Sequence, residues 1–106
     1  MIKPRIGSSD HSPVVAAAIV IHGAMKTALD RYRIDTSVYP KSLDNLIQQP
    51  AGTTNWHGPY LDGIPVDPWG DKYIYEFPGK HNPNSYDLLS AGLDGKRGTE
   101  DDIGNW

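Results

Sequence analysis

From Val14 to about Ile34 the chain contains no proline, and Gly23 is its only glycine. No other stretch of the sequence is free of breakers for so long, so it dictates how the rest must be arranged. Ser12 is a suitable N-cap, and Pro13 falls at the first helical position, where its missing N–H costs nothing. Val15, Ala18, His22, Met25, Leu29 and Tyr32 follow three- and four-residue spacing, with Val14, Ala17, Ile21, Ala24 and Ala28 in a second row beside them. The spacing predicts one helix of about twenty residues with a broad apolar face, turning polar past Lys26 at Asp30, Arg31 and Arg33. A helix of that length needs a partner surface, and the chain beyond it must supply one.

That partner reads as a small sheet. Ser42 can cap a short helix carrying Leu43, Leu46 and Ile47 on one face. The following QQPAGTTNWHGPYLDGIPVDPWG is irregular, with four prolines and four glycines. DKYIYEF alternates Tyr73, Tyr75 and Phe77 with Lys72, Ile74 and Glu76, which predicts a strand. PGKHNPNS reads as a turn, and SYDLLSAG as a second strand pairing antiparallel with the first. One helix followed by strands predicts an α+β domain over residues 13–106, the helix lying on one face of a small antiparallel sheet. Residues 1–12 read as a flexible leader or an appended remnant, outside the folded domain.

Composition excludes several classes of function. The ten Lys and Arg residues are scattered and the net charge is −3, which argues against a nucleic-acid surface. Without cysteine there is no disulfide, thiolate metal site or cysteine nucleophile. The longest apolar run, PVVAAAIVI, is nine residues, so no segment is expected to span a bilayer, which takes roughly 20. No serine elbow, phosphate loop or zinc-protease helix motif occurs, and enzymatic activity has no support. His22 lies in the apolar helix row and reads as a packing or partner-facing residue, while His57 and His81 fall in turns and read as solvated. The aromatic and proline-rich NWHGPYLDGIPVDPWG reads as a loop pinned over the sheet by its rings.

The ending SAGLDGKRGTEDDIGNW carries the most specific chemistry. Asp94, Asp101 and Asp102 offer hard carboxylate oxygens, and the glycines around them let backbone carbonyls turn inward. Ca²⁺ takes about six to eight such oxygens in flexible geometry, whereas zinc would want His or Cys. The spacing is not that of an EF-hand. Adjacent Asp101 and Asp102 repel unless a positive charge lies near, and Lys96 and Arg97 could supply part of it. From these residues alone, a solvated acidic loop and a cation site both stand.

The blocks ALDRYRID leading to YP, then GPYL, then the DPWG segment, then the SAGLDG…DDIGNW ending resemble in combination the G-type major pseudopilins of type II secretion systems, from about Ala24 to Trp106. The resemblance implies a pilin-like fold, a long N-terminal helix on a small antiparallel sheet, with a C-terminal calcium-binding loop. It places calcium ligands on Asp94, Asp101 and Asp102, helped by backbone oxygens near Ala91 and Ile103. It implies a structural, non-enzymatic subunit that polymerises with itself and with other pseudopilins into a periplasmic filament. That filament works with inner-membrane components of the secretion machinery to export folded proteins across the outer membrane. The basic leader, cleavage site, glutamate and apolar anchor with which such proteins begin in the Gram-negative inner membrane have no counterpart before Ala24, so the expectation is a soluble piece without its membrane helix. The alternative is a small extracellular calcium-dependent binding module, lectin-like in using the ion to hold a glycan or peptide.

Overall fold

The computed structural model describes residues 12–106. The reading of the first dozen residues as a leader, and the capping role of the Ser12 side chain, lie outside that description. Two helices open the fold, α1 (Ser12–His22) and α2 (Ala24–Thr36). The expected single helix is therefore interrupted. Gly23 stands between the two with φ −109° and ψ −102°, away from helical values, although the Thr27 N–H still donates to the Gly23 carbonyl at 2.9 Å. The break changes which apolar row faces inward. In α1 the second row is buried, at Ala17 and Ile21, while Val14, Val15 and Ile19 are exposed. In α2 the rows merge, and Met25, Ala28, Leu29 and Tyr32 are all buried. His22, at the junction, is exposed rather than packed.

One sequence expectation needs correcting. Taken together, Pro13–Thr36 is 24 residues long with a mean hydropathy of 1.3 in its most apolar stretch, long and apolar enough to cross a membrane. The nine-residue run understated this, because the buried apolar residues of α2 extend the hydropathy beyond the run itself. Core helices of water-soluble domains meet the same two criteria, so length and composition here permit a span without requiring one.

Helix α2 ends at Ser37, which adopts a left-handed conformation (φ 74°) and returns its N–H to the Arg33 carbonyl at 2.7 Å. Ser42 then caps a short 3₁₀ helix, Leu43–Leu46, its hydroxyl accepting from the Asp44 N–H, with Leu43 and Leu46 buried as their spacing predicted. The sheet has three strands, β1 (Ile74–Glu76), β2 (Asp87–Ser90) and β3 (Ile103–Gly104), in the order β1-β2-β3 and antiparallel throughout. Strands β1 and β2 are the expected pair, trimmed at both ends, with Ile74 opposite Leu89 and Glu76 opposite Asp87. Strand β3, two residues long, carries no periodic signal and is absent from the sequence reading.

The core joins Ile21, Met25, Leu29 and Tyr32 of the helices to Leu46, Tyr73, Tyr86 and Leu88. The proline-rich loop is pinned by its rings as expected, though Trp56 and Tyr60 reach α2 and the 3₁₀ helix rather than the sheet. The Trp56 indole N–H donates to the Asn45 carbonyl at 2.7 Å, and Trp56 and Tyr32 both meet the Tyr60 ring edge-on. The Tyr60 hydroxyl donates to Asp35 at 2.6 Å. Tyr75, whose hydroxyl donates to the Pro40 carbonyl at 2.6 Å, ties the sheet to the end of the helix connection.

Candidate functional site

The segment between β2 and β3 is held in place before any ion is considered. Asp94 starts it with an Asx turn, one carboxylate oxygen accepting from the Lys96 N–H at 2.9 Å and the other from the Thr99 hydroxyl at 2.8 Å. The Lys96 N–H, followed by the Thr99 hydroxyl, holds the Asp94 carboxyl below the usual carboxylate range. Asp102 closes the loop, its Oδ2 accepting from the Gly98 N–H at 2.8 Å. Its other oxygen, Oδ1, is buried without a hydrogen-bond partner among the described residues. Asp101 is exposed, and Arg97 reaches across to pair with Glu76 of β1. Because Ser90 lies opposite Ile103 in the sheet, the next positions along the ladder bring Ala91 toward Asp102.

Asp94 and Asp102 thus shape one loop, with Ala91 and Ile103 at its two roots. Among the described residues no three His, Cys, Asp or Glu side chains converge as a metal cluster. A cation at this place would therefore draw on backbone carbonyls as much as on carboxylates. The donor chemistry suits a hard ion that accepts such a mixture, and the partnerless Asp102 oxygen is the atom most in need of one. The residues fit calcium by that test.

Two further aspartates were given no role by the sequence reading: Asp67 holds the loop against the body, and Asp87 holds the turn before β2. Asp67, from the DPWG block, is 3% exposed. One of its oxygens accepts the Trp69 and Asp71 N–H groups, and the other accepts the Ser90 hydroxyl at 2.6 Å. The Ser90 oxygen in turn accepts the Gly92 N–H at 3.1 Å, so this relay fixes the first turn of the loop. Ser90→Ala would leave a buried Asp67 oxygen and the Gly92 N–H without partners. The expected loss is about 1–3 kcal/mol, read as a shift in the urea midpoint with unchanged slope. Parental stability in that variant would mean the relay contributes nothing.

Asp87, fully buried in β2, gathers the turn before it. Its carboxylate accepts N–H groups from Lys80, His81 and Asn82 at 2.9–3.0 Å, and His81 Nδ1 lies 3.1 Å from the same group. Burial pushes the Asp87 carboxyl up, but the donors from His81, Asn82 and Lys80 outweigh it and leave the group below the ordinary range. His81 is exposed, as its turn context suggested, yet it is held in place on two sides. It bonds Asp87 on its edge and stacks its face on Trp106, with centroids 3.8 Å apart and planes within 6°. Asn105 completes the C-terminal attachment. Its side chain accepts the Leu88 N–H at 2.9 Å and donates to the Tyr86 carbonyl at 3.0 Å, standing in for a strand that has run out. Asp87, Asn105 and Trp106 were all visible as letters; their partners, backbone groups for the first two and the His81 ring for the third, are brought near only by the fold.

The family model for type II secretion system protein G matches residues 5–106. The chain belongs to this protein G family. The match begins well before Ala24, so the family likeness takes in the first helix, contrary to the expectation that the early region departs from it. Type II secretion system core protein G of Escherichia coli K12 is 45% identical over 91 residues, covering 78% of this chain and 61% of that protein. The Pseudomonas aeruginosa core protein G is 39% identical, covering all of this chain and 80% of its own length. The chain thus spans less than two thirds of one of these relatives and four fifths of the other. Among solved structures, the major pseudopilin from the type 2 secretion system of enterohaemorrhagic E. coli superposes with a TM-score of 0.80 at 32% identity, covering all of this chain and 93% of that one. This G-family domain therefore has the pilin-like pseudopilin fold expected of it. None of these relatives supports a lectin-like binding module.

Proposed function

We propose that this chain is a non-enzymatic structural subunit of a type II secretion pseudopilus, polymerising with copies of itself and with other pseudopilins to export folded proteins across the outer membrane. The likeness to protein G over residues 5–106 carries this reading. The filament works from the inner membrane with the machinery's membrane components, the folded domain facing the periplasm. The test is complementation. A strain lacking its own G-type subunit should regain secretion when this domain is expressed in frame with the relative's N-terminal segment, and persistent failure despite normal expression would reject the assignment.

Within that role, calcium holds the C-terminal loop closed. Asp94, Asp101 and Asp102 would supply carboxylates, with carbonyls at Ala91 and Ile103, and the ion's chemistry is plain charge neutralisation and coordination. The buried, partnerless Asp102 oxygen supports the assignment. A domain with no disulfide gains from such a staple. An ion that binds only the folded state adds about 2.7 kcal/mol at a hundredfold excess over Kd. EDTA should therefore lower the melting temperature by several degrees, and Ca²⁺ but not Mg²⁺ should restore it. Asp94→Ala should melt like the chelated parent and ignore added Ca²⁺. A melting curve indifferent to both reagents would remove the ion from this account without touching the family assignment.

A further inference from the structure

Two apolar patches of opposite electrostatic character sit at opposite ends of the helical pair. The first is a cleft of about 500 Å³ beside the C-terminal loop, lined by Val14, Trp69, Leu93 and Ile103 together with the carboxylates of Glu100 and Asp101. Leu93 is 77% exposed there. The second is the end of α2, where Ile34 is 76% exposed and Val38 follows just past the cap, also exposed. Arg31, three residues before Ile34 on the same helix face, is exposed and makes no ion pair among the described residues. A single exposed aliphatic residue is ordinary, but neighbouring ones that form a patch rimmed by charge mark a contact surface. At about 1.5 Å per residue, Val14 and Ile34 stand roughly 30 Å apart along the helices, in a molecule 53 Å long.

We propose that these patches bind each other between copies of the chain: Ile34 and Val38 of one copy enter the cleft of the next, with Arg31 meeting Glu100. The inference rests on the subunit reading above and specifies the surfaces through which the folded domains touch. The patches match in three respects, apolar to apolar, basic to acidic, and a convex helix end to a cleft. Since they are different surfaces at opposite ends, the contact is head-to-tail and repeats instead of closing as a twofold dimer. Opposite charge at the edge sets orientation and speeds encounter, while the aliphatic groups supply the burial.

The absence of native cysteine makes the test clean. Ile34→Cys and Leu93→Cys are prepared in the full 106-residue chain, one of them mass-tagged, mixed and oxidised. Mixed disulfide dimers should outnumber like-with-like dimers several-fold. Adding Arg31→Glu to the first variant should suppress them, and adding Glu100→Arg to the second should restore them, which a merely misfolded variant would not allow. Equal yields of mixed and like dimers would overturn the proposal, as would a dye at position 34 that responds to anionic vesicles but never to a second copy. If sedimentation shows self-association without mixed dimers, the subunit reading stands and this contact is wrong. If neither cross-linking nor sedimentation detects association, this contact is overturned, while the subunit reading, carried by the likeness over residues 5–106, is left to the complementation test.

Discussion

Asp87→Ala should be the most damaging single substitution outside the aliphatic core, costing about 3–4 kcal/mol and lowering the melting temperature by on the order of 15 °C. The reason is the number of groups that lose a partner at once. The Lys80, His81 and Asn82 N–H groups all point at this carboxylate. Gly79 packs so tightly that a β-carbon there would lie 2.8 Å from the Asp87 carboxyl carbon, so the turn is built around the acid rather than merely touching it. Hydrogen bonds to a charged acceptor are worth more than neutral ones, and the cost of stranding their donors exceeds the gain from making them. Circular dichroism during heating checks the prediction, and a variant melting within a few degrees of the parent would show that the turn holds without its acid.

The same residue sets an acid limit. Its folded-state value is depressed, so its contribution is complete above the unfolded carboxylate range, about pH 4, and is lost as pH falls through the lower folded value. The parent should therefore lose stability steeply below about pH 4, whereas the gap between parent and Asp87→Ala should narrow there. Urea midpoints at neutral and at acid pH make the comparison, and a gap that stays constant would mean that the charge contributes nothing.

Gly92→Ala is the second large effect, for a different reason. Gly92 has φ +76°, where an L-residue costs about 1–2 kcal/mol. A β-carbon there would also lie 2.9 Å from the Asp101 β-carbon and nearer still to the Asp101 carbonyl oxygen. The two sides of the loop cross at this point without room for a methyl group. We expect a total loss of about 3 kcal/mol, taken locally: β3 should peel from β2 while the helices and the β1–β2 pair persist. Hydrogen exchange reads this directly, because the Asn105 N–H donates to the Leu88 carbonyl only while β3 is docked. In the variant that amide should exchange quickly with core amides of α2 still protected. Parental protection at Asn105 would show that the crossing tolerates a side chain.

These two positions also mark where the sequence was readable and where it was not. The helical stretch, the Ser42 cap and the β1–β2 pair express local rules of period and capping, and each is found where those rules put it. The break at Gly23 is harder, since a lone glycine inside an apolar helical pattern is compatible with a continuous helix, and here tertiary packing of a different row decides. Strand β3 is too short to have a period at all. Asp67 and Asp87 look like an ordinary turn residue and an unwelcome charge in a strand. Their roles arise from N–H groups on the folded backbone, which carry no letter. In the C-terminal loop the acidic residues were visible and the resemblance proposed their use. The relay from Asp67 through Ser90 to Gly92 that supports them spans 23 residues between its carboxylate and hydroxyl members, and no local pattern reports it.

The sheet itself has a consequence for a protein built to assemble. An unpaired edge strand invites a neighbouring chain to add its own, and repeated addition of that kind ends in irreversible cross-β stacking. Here the four-residue central strand is sheathed on both sides, and the outer strands are only three and two residues long. Among the described residues neither border offers a template for runaway pairing, and beyond Gly104 the Asn105 side chain occupies hydrogen-bonding groups that would otherwise be open to one. The polymerisation proposed above would thereby be left to helix and loop surfaces, where contacts are made of side chains and can be undone. Subunits joined as proposed would come apart without breaking a backbone ladder, whereas subunits knitted through such ladders would not.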